Sequence, residues 1–309
     1  MKYNVTADVH GFYSILRFAL AKAGFFEETQ PHKLIILGDL FDRGLEAPEL
    51  QEFILKLMEE DRIILVKGNH EDLFEKMVTE DAGLPYHHHV SNGTYVTALQ
   101  LTGYEPTMAR IHNYDFADAA KETPYYKTII PAMLDYYETQ NYVFTHGWIP
   151  CIREKSGYCY YSDWRESSEV AWQQARWYNG MDAAQTADEE KTILCGHWHC
   201  SYGHAKYEQK GSEFGPDADF RPYYGPHVIA LDACTAHSKR KNVIVLEDDP
   251  ICSHDITQRP FRQKLEIPYI LRCAGQCYAD LKCTPNCIFT EPTPDMAAEP
   301  PAEYDAGEK

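Results

Sequence analysis

Apolar runs of four or five residues recur along this chain, and a polar cluster follows most of them. Residues 2–6 read as a strand that runs into Asp8-Val9-His10-Gly11. Leu34-Ile35-Ile36-Leu37 reads as a buried strand and delivers Gly38-Asp39-Leu40-Phe41-Asp42-Arg43-Gly44. Ile63-Ile64-Leu65-Val66 leads in the same way to Lys67-Gly68-Asn69-His70-Glu71, residues 142–145 to His146-Gly147-Trp148, and residues 192–195 to Gly196-His197-Trp198-His199. Between the early strands the apolar spacing becomes helical. Phe12, Ile15, Leu16, Ala19, Leu20 and Ala23 share one face before Gly24, residues 48–60 carry a second helix, and residues 71–81 a third. Residues 228–231 and 243–246 add two strands expected to complete a second sheet packed on the first.

Strands alternating with helices point to an α/β fold. In such folds ligands bind outside the carboxyl ends of the strands, where all of these polar clusters fall. Residues 83–131 are weakly patterned and rich in Tyr and His, and are read as a helical or loop insertion over that edge. After Asp248 the character changes: cysteines appear among prolines, and beyond Thr290 the chain is acidic and rich in Pro and Ala. The expected organisation is a catalytic domain over 1–247, a Cys-rich extension over 248–289, and a disordered acidic tail over 290–309.

Composition narrows the partners. The 309 residues carry a formal charge of −18, which argues against binding to duplex nucleic acid or to an anionic membrane surface. No apolar stretch has the length of a membrane span, and residues 1–5 lack the features of a signal peptide, so the expected location is the cytoplasm. Ten cysteines without an export signal are better read as thiols or metal ligands than as a disulfide framework.

Collected, the strand-end residues Asp8, His10, Asp39, Asn69, His146, His197 and His199 are carboxylates, an amide and imidazoles without a thiolate. That set suits manganese, iron or zinc. Seven ligands exceed the needs of one ion, whereas two ions roughly 3.5–4 Å apart sharing one carboxylate would use them all and clamp a phosphoryl transfer.

Asp8-Val9-His10, Gly38 to Gly44, Gly68-Asn69-His70-Glu71, His146 and Gly196-His197-Trp198-His199 resemble, in order, the motif set of the calcineurin-like metallophosphoesterases. Residues 38–44 and 68–71 are similar to the phosphoprotein phosphatase branch, in particular its bacterial and phage-type members. The resemblance implies a four-layer αββα sandwich with two mixed sheets. It implies Asp8 and His10 on one metal, Asn69, His146 and His197 on the other, and Asp39 between them. His199 departs from the phosphoprotein branch and is similar to the wider family, where that residue joins the first metal. The implied chemistry is hydrolysis of a phosphomonoester by in-line attack of a water bridging the ions. His70 would protonate the leaving oxygen, Asp42 would orient His70, and Arg43 would hold the phosphate together with Asn69. Arg176, in a Trp-x-x-x-Arg spacing after Trp172, resembles a second phosphate-binding arginine, with Arg165 as its competitor; Lys67 offers a weaker contact. The implied substrate is a phosphoserine or phosphothreonine protein. A nucleotide such as diadenosine tetraphosphate is the alternative, and a non-catalytic scaffold a more distant one.

Single motifs have blander readings. An isolated Asp-x-His at a strand end is usually a turn, and a lone arginine a surface ion pair. Their recurrence in order favours the dinuclear site. His87-His88-His89 reads as a solvated rim rather than a third metal site. Cys273, Cys277, Cys283 and Cys287 have paired spacing that offers a structural zinc, with buried thiols or disulfides as alternatives.

Overall fold

The computed structural model describes residues 1–251 apart from 155, 156, 161, 162, 187 and 188. The strands, in chain order, are β1 (Lys2–Ala7), β2 (His32–Leu37), β3 (Ile63–Val66), β4 (Tyr137–Glu138), β5 (Tyr142–Phe144), β6 (Cys151–Glu154), β7 (Gly157–Tyr160), β8 (Thr192–Cys195), β9 (Tyr223–Gly225), β10 (Val228–Ala230) and β11 (Ile244–Glu247). The helices that matter to the site are α1 (Tyr13–Lys22), α2 (Ala47–Glu59), α3 (Asn69–Thr79), α4 (His87–Ser91), α5 (Thr94–Thr102), α6 (Pro106–Ile111) and α7 (Asn113–Lys121).

Two mixed sheets, ordered β11-β1-β2-β3 and β4-β5-β8-β10-β9, face each other, and β6 and β7 form a separate hairpin. The period of two along each strand sorts its side chains between layers. On β2, Ile35 and Leu37 enter the cluster between the sheets, where they meet Tyr3, Val5, Phe144 and Leu194. Leu34 and Ile36 point the other way, into the cluster with Leu16, Leu20, Leu50, Ile54 and Phe74 of α1, α2 and α3. On the second sheet, Val143, Ile193 and Val228 pack outward against Trp148, Trp172 and Met181. The result is the expected αββα sandwich. Its strands β1, β2 and β3, and β5, β8 and β10, run parallel within their sheets, so their carboxyl ends collect at one edge.

Two features differ from the pattern-based expectation. Strand β11 belongs to the first sheet, paired antiparallel to β1 with Lys2 opposite Glu247 and Val5 opposite Ile244. It covers the open edge of β1 and sends Ile244 and Leu246 against the inter-sheet cluster, a choice of partner that an apolar run cannot announce. The second sheet is completed instead by β4 and β9, which are too short to carry a pattern.

Within 83–131 the chain forms α4 to α7 and a π-helical turn over Tyr125–Ile129. Phe116, Ala120, Tyr125 and Ile129 join the helix-side core, so this segment is mostly an extension of that outer layer. It reaches the loop after β2 through Gly93, which packs on Arg43, and through Thr94 and Thr97, which bind Asp42. His87-His88-His89, read as a solvated rim, begins α4. No helix among the described residues is long and apolar enough to cross a membrane. The Cys273, Cys277, Cys283 and Cys287 cluster and the acidic tail lie outside the described residues, as does nearly all of the expected extension.

Candidate metal centre

The loops after β1 and β2 continue to pair beyond the strands: Asp8 N–H donates to the Gly38 carbonyl at 3.2 Å, His10 N–H to Asp39 at 2.9 Å, and Gly11 N–H to Leu40 at 2.8 Å. This close pairing turns the chain sharply. Asp8, His10, Asp39, Asp42, Arg43 and His197 all have positive φ, between 51° and 75°. Non-glycine residues rarely adopt that conformation, at a cost of about 1–3 kcal/mol each, and here it aims polar side chains out of the strand ends.

Glu71 over-determines the second turn. Its carboxylate accepts from the backbone N–H groups of Asp39 and Gly68 on one oxygen, at 3.0 and 2.7 Å, and from Leu40 N–H and the Tyr125 hydroxyl on the other, at 3.0 and 3.1 Å. Burial and the Asp39 charge push this carboxyl up to about 7, against the pull of those donors. Asp39 in turn accepts from His70 N–H at 3.1 Å, capping the start of α3 from another strand. Space is tight at these contacts. A Cβ on Gly68 would lie 2.2 Å from Asp39 Oδ1, and one on Gly196 would lie 2.1 Å from Asp8 Oδ2. Glu71→Gln turns one acceptor into a donor that faces another donor in either orientation of the amide. The expected loss is about 1–3 kcal/mol, read as a lower urea midpoint of the metal-free protein; an unchanged midpoint would deny Glu71 this role.

Asp39 sits at the centre of two converging groups, His10–Asp39–His70 and Asp39–His146–His197, in each of which the ligand atoms lie within 4.8 Å of one another. Its Oδ2 is 3.7 Å from His10 Nε2 and 3.8 Å from His70 Nε2, while its Oδ1 is 3.3 Å from His146 Nε2. Backbone carbonyls set the tautomers. His10 Nδ1–H donates to Phe41 at 2.9 Å and His146 Nδ1–H to Leu37 at 2.7 Å, so both rings present an Nε2 lone pair to the site. Burial, followed by neighbouring positive charge, holds His10 well below the usual histidine value. Burial also lowers His146, and takes His197 down to about 3. All three are therefore neutral bases at neutral pH.

His70 is the exception. Burial opposes its protonation, but the Asp39 charge and a 2.6 Å hydrogen bond from Nδ1–H to Asp42 Oδ2 outweigh it and raise its pKa. Asp42 is itself fixed, accepting from the Thr94 hydroxyl on Oδ2 and the Thr97 hydroxyl on Oδ1, each at 2.7 Å. Arg43 lies across the mouth, with Nη1 donating to His10 Nε2 at 3.0 Å and Nη2 lying 3.3 Å from His70 Nε2.

The donor set fits divalent cations. His146 Nε2 faces Asp39 Oδ1 lone pair to lone pair, and the Asn69 side-chain oxygen lies 2.8 Å from the same Nε2. Acceptors converging without a proton between them are relieved by a positive ion. Asp8 needs the same relief: burial, Asp232 and Asp39 push its carboxyl well above the ordinary range.

Other expected residues are placed differently. Asp8 stands beside both groups rather than in either, with both oxygens accepting from His197 N–H at 3.0 and 3.1 Å. His199 lies outside the two groups, with Nε2 2.7 Å from Glu213 Oε1. Arg176 is fully buried and its two terminal nitrogens bind Asp72 and Asp135; its own backbone backs the turn after His146, which joins it to the site only indirectly. Arg165 forms a bidentate pair with Glu138, and Lys67 pairs with Asp72 and Glu75. Thr94, Thr97, Tyr125, Glu213, Asp232 and Lys241, whose ammonium donates to the Ala7 and Asp8 carbonyls, are supporting residues that carry no local sequence signal.

Residues 1–229 match the sequence model of the calcineurin-like phosphoesterase family. The chain is 29% identical over 112 residues to the asymmetrical bis(5'-nucleosyl)-tetraphosphatase PrpE of Bacillus velezensis, a match that covers 34% of this chain and 43% of that protein. It is 39% identical over 71 residues to the serine/threonine-protein phosphatase 4 catalytic subunit of Kluyveromyces lactis, covering 22% of this chain and 21% of that one. Each match thus spans less than half of the curated relative. Among solved structures, a cold-active protein tyrosine phosphatase is similar over 80% of this chain and 73% of that chain, at 18% identity and a TM-score of 0.49. The family match runs from β1 into β10 and takes in both donor groups around Asp39, and the chain belongs to the calcineurin-like phosphoesterase family.

Proposed function

We propose that this chain is a metal-dependent phosphoesterase that hydrolyses phosphomonoesters, most readily those of phosphoserine and phosphothreonine in proteins. The observation that carries this reading is Asp39, whose two oxygens face different neutral imidazoles, His10 from one and His146 from the other. Two divalent cations, manganese by preference and iron or zinc by the same donor chemistry, would be held by Asp8, His10 and His199 on one side and Asn69, His146 and His197 on the other, with Asp39 shared. His199 joins the first only by exchanging Glu213 for it. When bound, the cations neutralise phosphate charge and make water nucleophilic near neutral pH.

The chain's own groups do the rest. Arg43, half-buried at the mouth, is placed to bind non-bridging phosphate oxygens. His70, protonated and aligned by Asp42, donates its proton to the departing oxygen. The unit that performs this is residues 1–247. Arg43→Ala should remove a charge-assisted contact of about 1.5–3 kcal/mol, lowering kcat/KM by roughly 10- to 100-fold. Arg43→Lys should recover only part of it, because the paired N–H fork is lost. Equal kcat/KM for Arg43→Ala and the parent would remove Arg43 from the substrate.

A nucleotide substrate is the second reading, supported by the similarity to a bis(5'-nucleosyl)-tetraphosphatase. Manganese-loaded full-length protein assayed in parallel on phosphoserine and phosphothreonine peptides and on diadenosine tetraphosphate separates the two. Faster turnover of the peptides is the expected result. Inert peptides beside a hydrolysed dinucleotide would overturn the assignment of substrate.

A further inference from the structure

Away from Asp39, one further set of side chains among the described residues brings metal-ligand atoms together. These are Asp81, His88 and His89, whose donor atoms lie within 4.8 Å of one another. Asp81 closes the end of α3, its N–H donating to the Lys76 carbonyl at 3.1 Å, and the two histidines occupy the first turn of α4. Successive residues on a helix point about 100° apart, so adjacent histidines normally diverge. Here both rings turn toward one carboxylate. Asp81 Oδ2 is 2.7 Å from His89 Nε2 and 3.6 Å from His88 Nε2, and the ring centroids are 3.9 Å apart.

A plain Asp81–His89 hydrogen bond accounts for only part of this arrangement. The His88 side chain is 44% exposed and could turn its polar edge to water, yet its Nε2 is buried, beyond hydrogen-bond distance of Asp81 and without another partner. His89 is wholly buried and turns its Nε2 onto the same carboxylate oxygen. Burial, with the Lys76 charge second to it on His88, keeps both imidazoles below the usual histidine value, so both are neutral bases at neutral pH. Two neutral imidazoles and one carboxylate, with water completing the shell, form the donor set of borderline divalent ions.

We infer that Asp81, His88 and His89 form a third metal site, separate from the centre around Asp39, that takes zinc(II), cobalt(II) or nickel(II) rather than magnesium or calcium. An ion there ties the end of α3 to the start of α4. The consequence reaches the catalytic groups along the backbone. His88 carbonyl accepts from Asn92 through both backbone and side-chain N–H, and Gly93, at φ 90°, packs so closely that a Cβ would lie 2.4 Å from Arg43 N. Thr94 and Thr97, which hold Asp42, follow directly.

Equilibrium dialysis of full-length protein against micromolar cobalt(II), with metal and protein both quantified, tests the site. His88→Ala removes the exposed histidine and Asp81→Asn keeps the shape of the carboxyl group, so at least one variant should fold, which circular dichroism checks. The centre around Asp39 and the late cysteines are the same in all three proteins, so the difference isolates the cluster. The expected result is one equivalent of cobalt fewer per chain in each folded variant, with loss of the matching visible absorption. Equal cobalt content in the parent and the folded variants would overturn the proposal.

Discussion

Asp39→Asn should lower kcat/KM by roughly 10²–10⁴-fold and weaken retention of both metal ions together. The carboxylate is buried among four imidazoles, and those of His146, His70, His10 and His197 outweigh burial to hold it below the ordinary carboxyl range. Of these only His70 is protonated, and removing one partner of a buried ion pair such as Asp39 with His70 costs about 3–5 kcal/mol, which converts to that span of rate. Asparagine tolerates the positive φ of 51° at this position and keeps an oxygen for His70 N–H, so the turn should survive the change. Metal content and phosphate release measured on the same preparation check it. Loss of one ion with the other retained would mean that Asp39 serves one ion only.

His70→Asn should separate chemistry from metal binding. The expected fall in kcat is roughly 10²–10⁴-fold, the usual range for a general acid, with metal content unchanged. His70 ligand atoms converge with those of His10 and Asp39, so a lost ion in this variant would instead make His70 a ligand. The pH profile gives the sign. His70 acts as its protonated form and its pKa is raised by Asp39 and Asp42, so the alkaline limb of kcat/KM should fall above the ordinary histidine value. Asp42→Asn removes one of those charges and should move that limb to lower pH. A limb that stays in place, or moves upward, would deny the Asp42–His70 pair this function.

The strand-end residues are legible in sequence because each directly follows a short buried strand: Asp8 follows Ala7, Asp39 is separated from Leu37 by one glycine, and His146 from Phe144 by one threonine. Parallel pairing then brings them to one edge without further information. What holds them is less legible, because it comes from distant residues of ordinary type. Thr94 and Thr97 meet Asp42 across more than fifty positions, from a segment with little periodicity. Lys241 reaches the Ala7 and Asp8 carbonyls from the other end of the domain. Glu71 stands inside a visible motif, yet nothing in its neighbours says that it receives Asp39, Leu40 and Gly68 N–H together. Spacing also says little about a side chain's partners. The Trp-x-x-x-Arg pattern leads to Arg176, whose guanidinium is engaged by Asp72 and Asp135. Strand β11 shows the same limit at the level of fold, since its partner is set by the free edge of β1.

Electron paramagnetic resonance of the manganese-loaded full-length protein tests the shared carboxylate most directly. Two ions joined through Asp39 give the broadened, temperature-dependent signal of an exchange-coupled pair in the parent, and Asp39→Asn abolishes it. A parent spectrum containing only the sharp hyperfine pattern of isolated manganese would contradict a dinuclear centre built on Asp39.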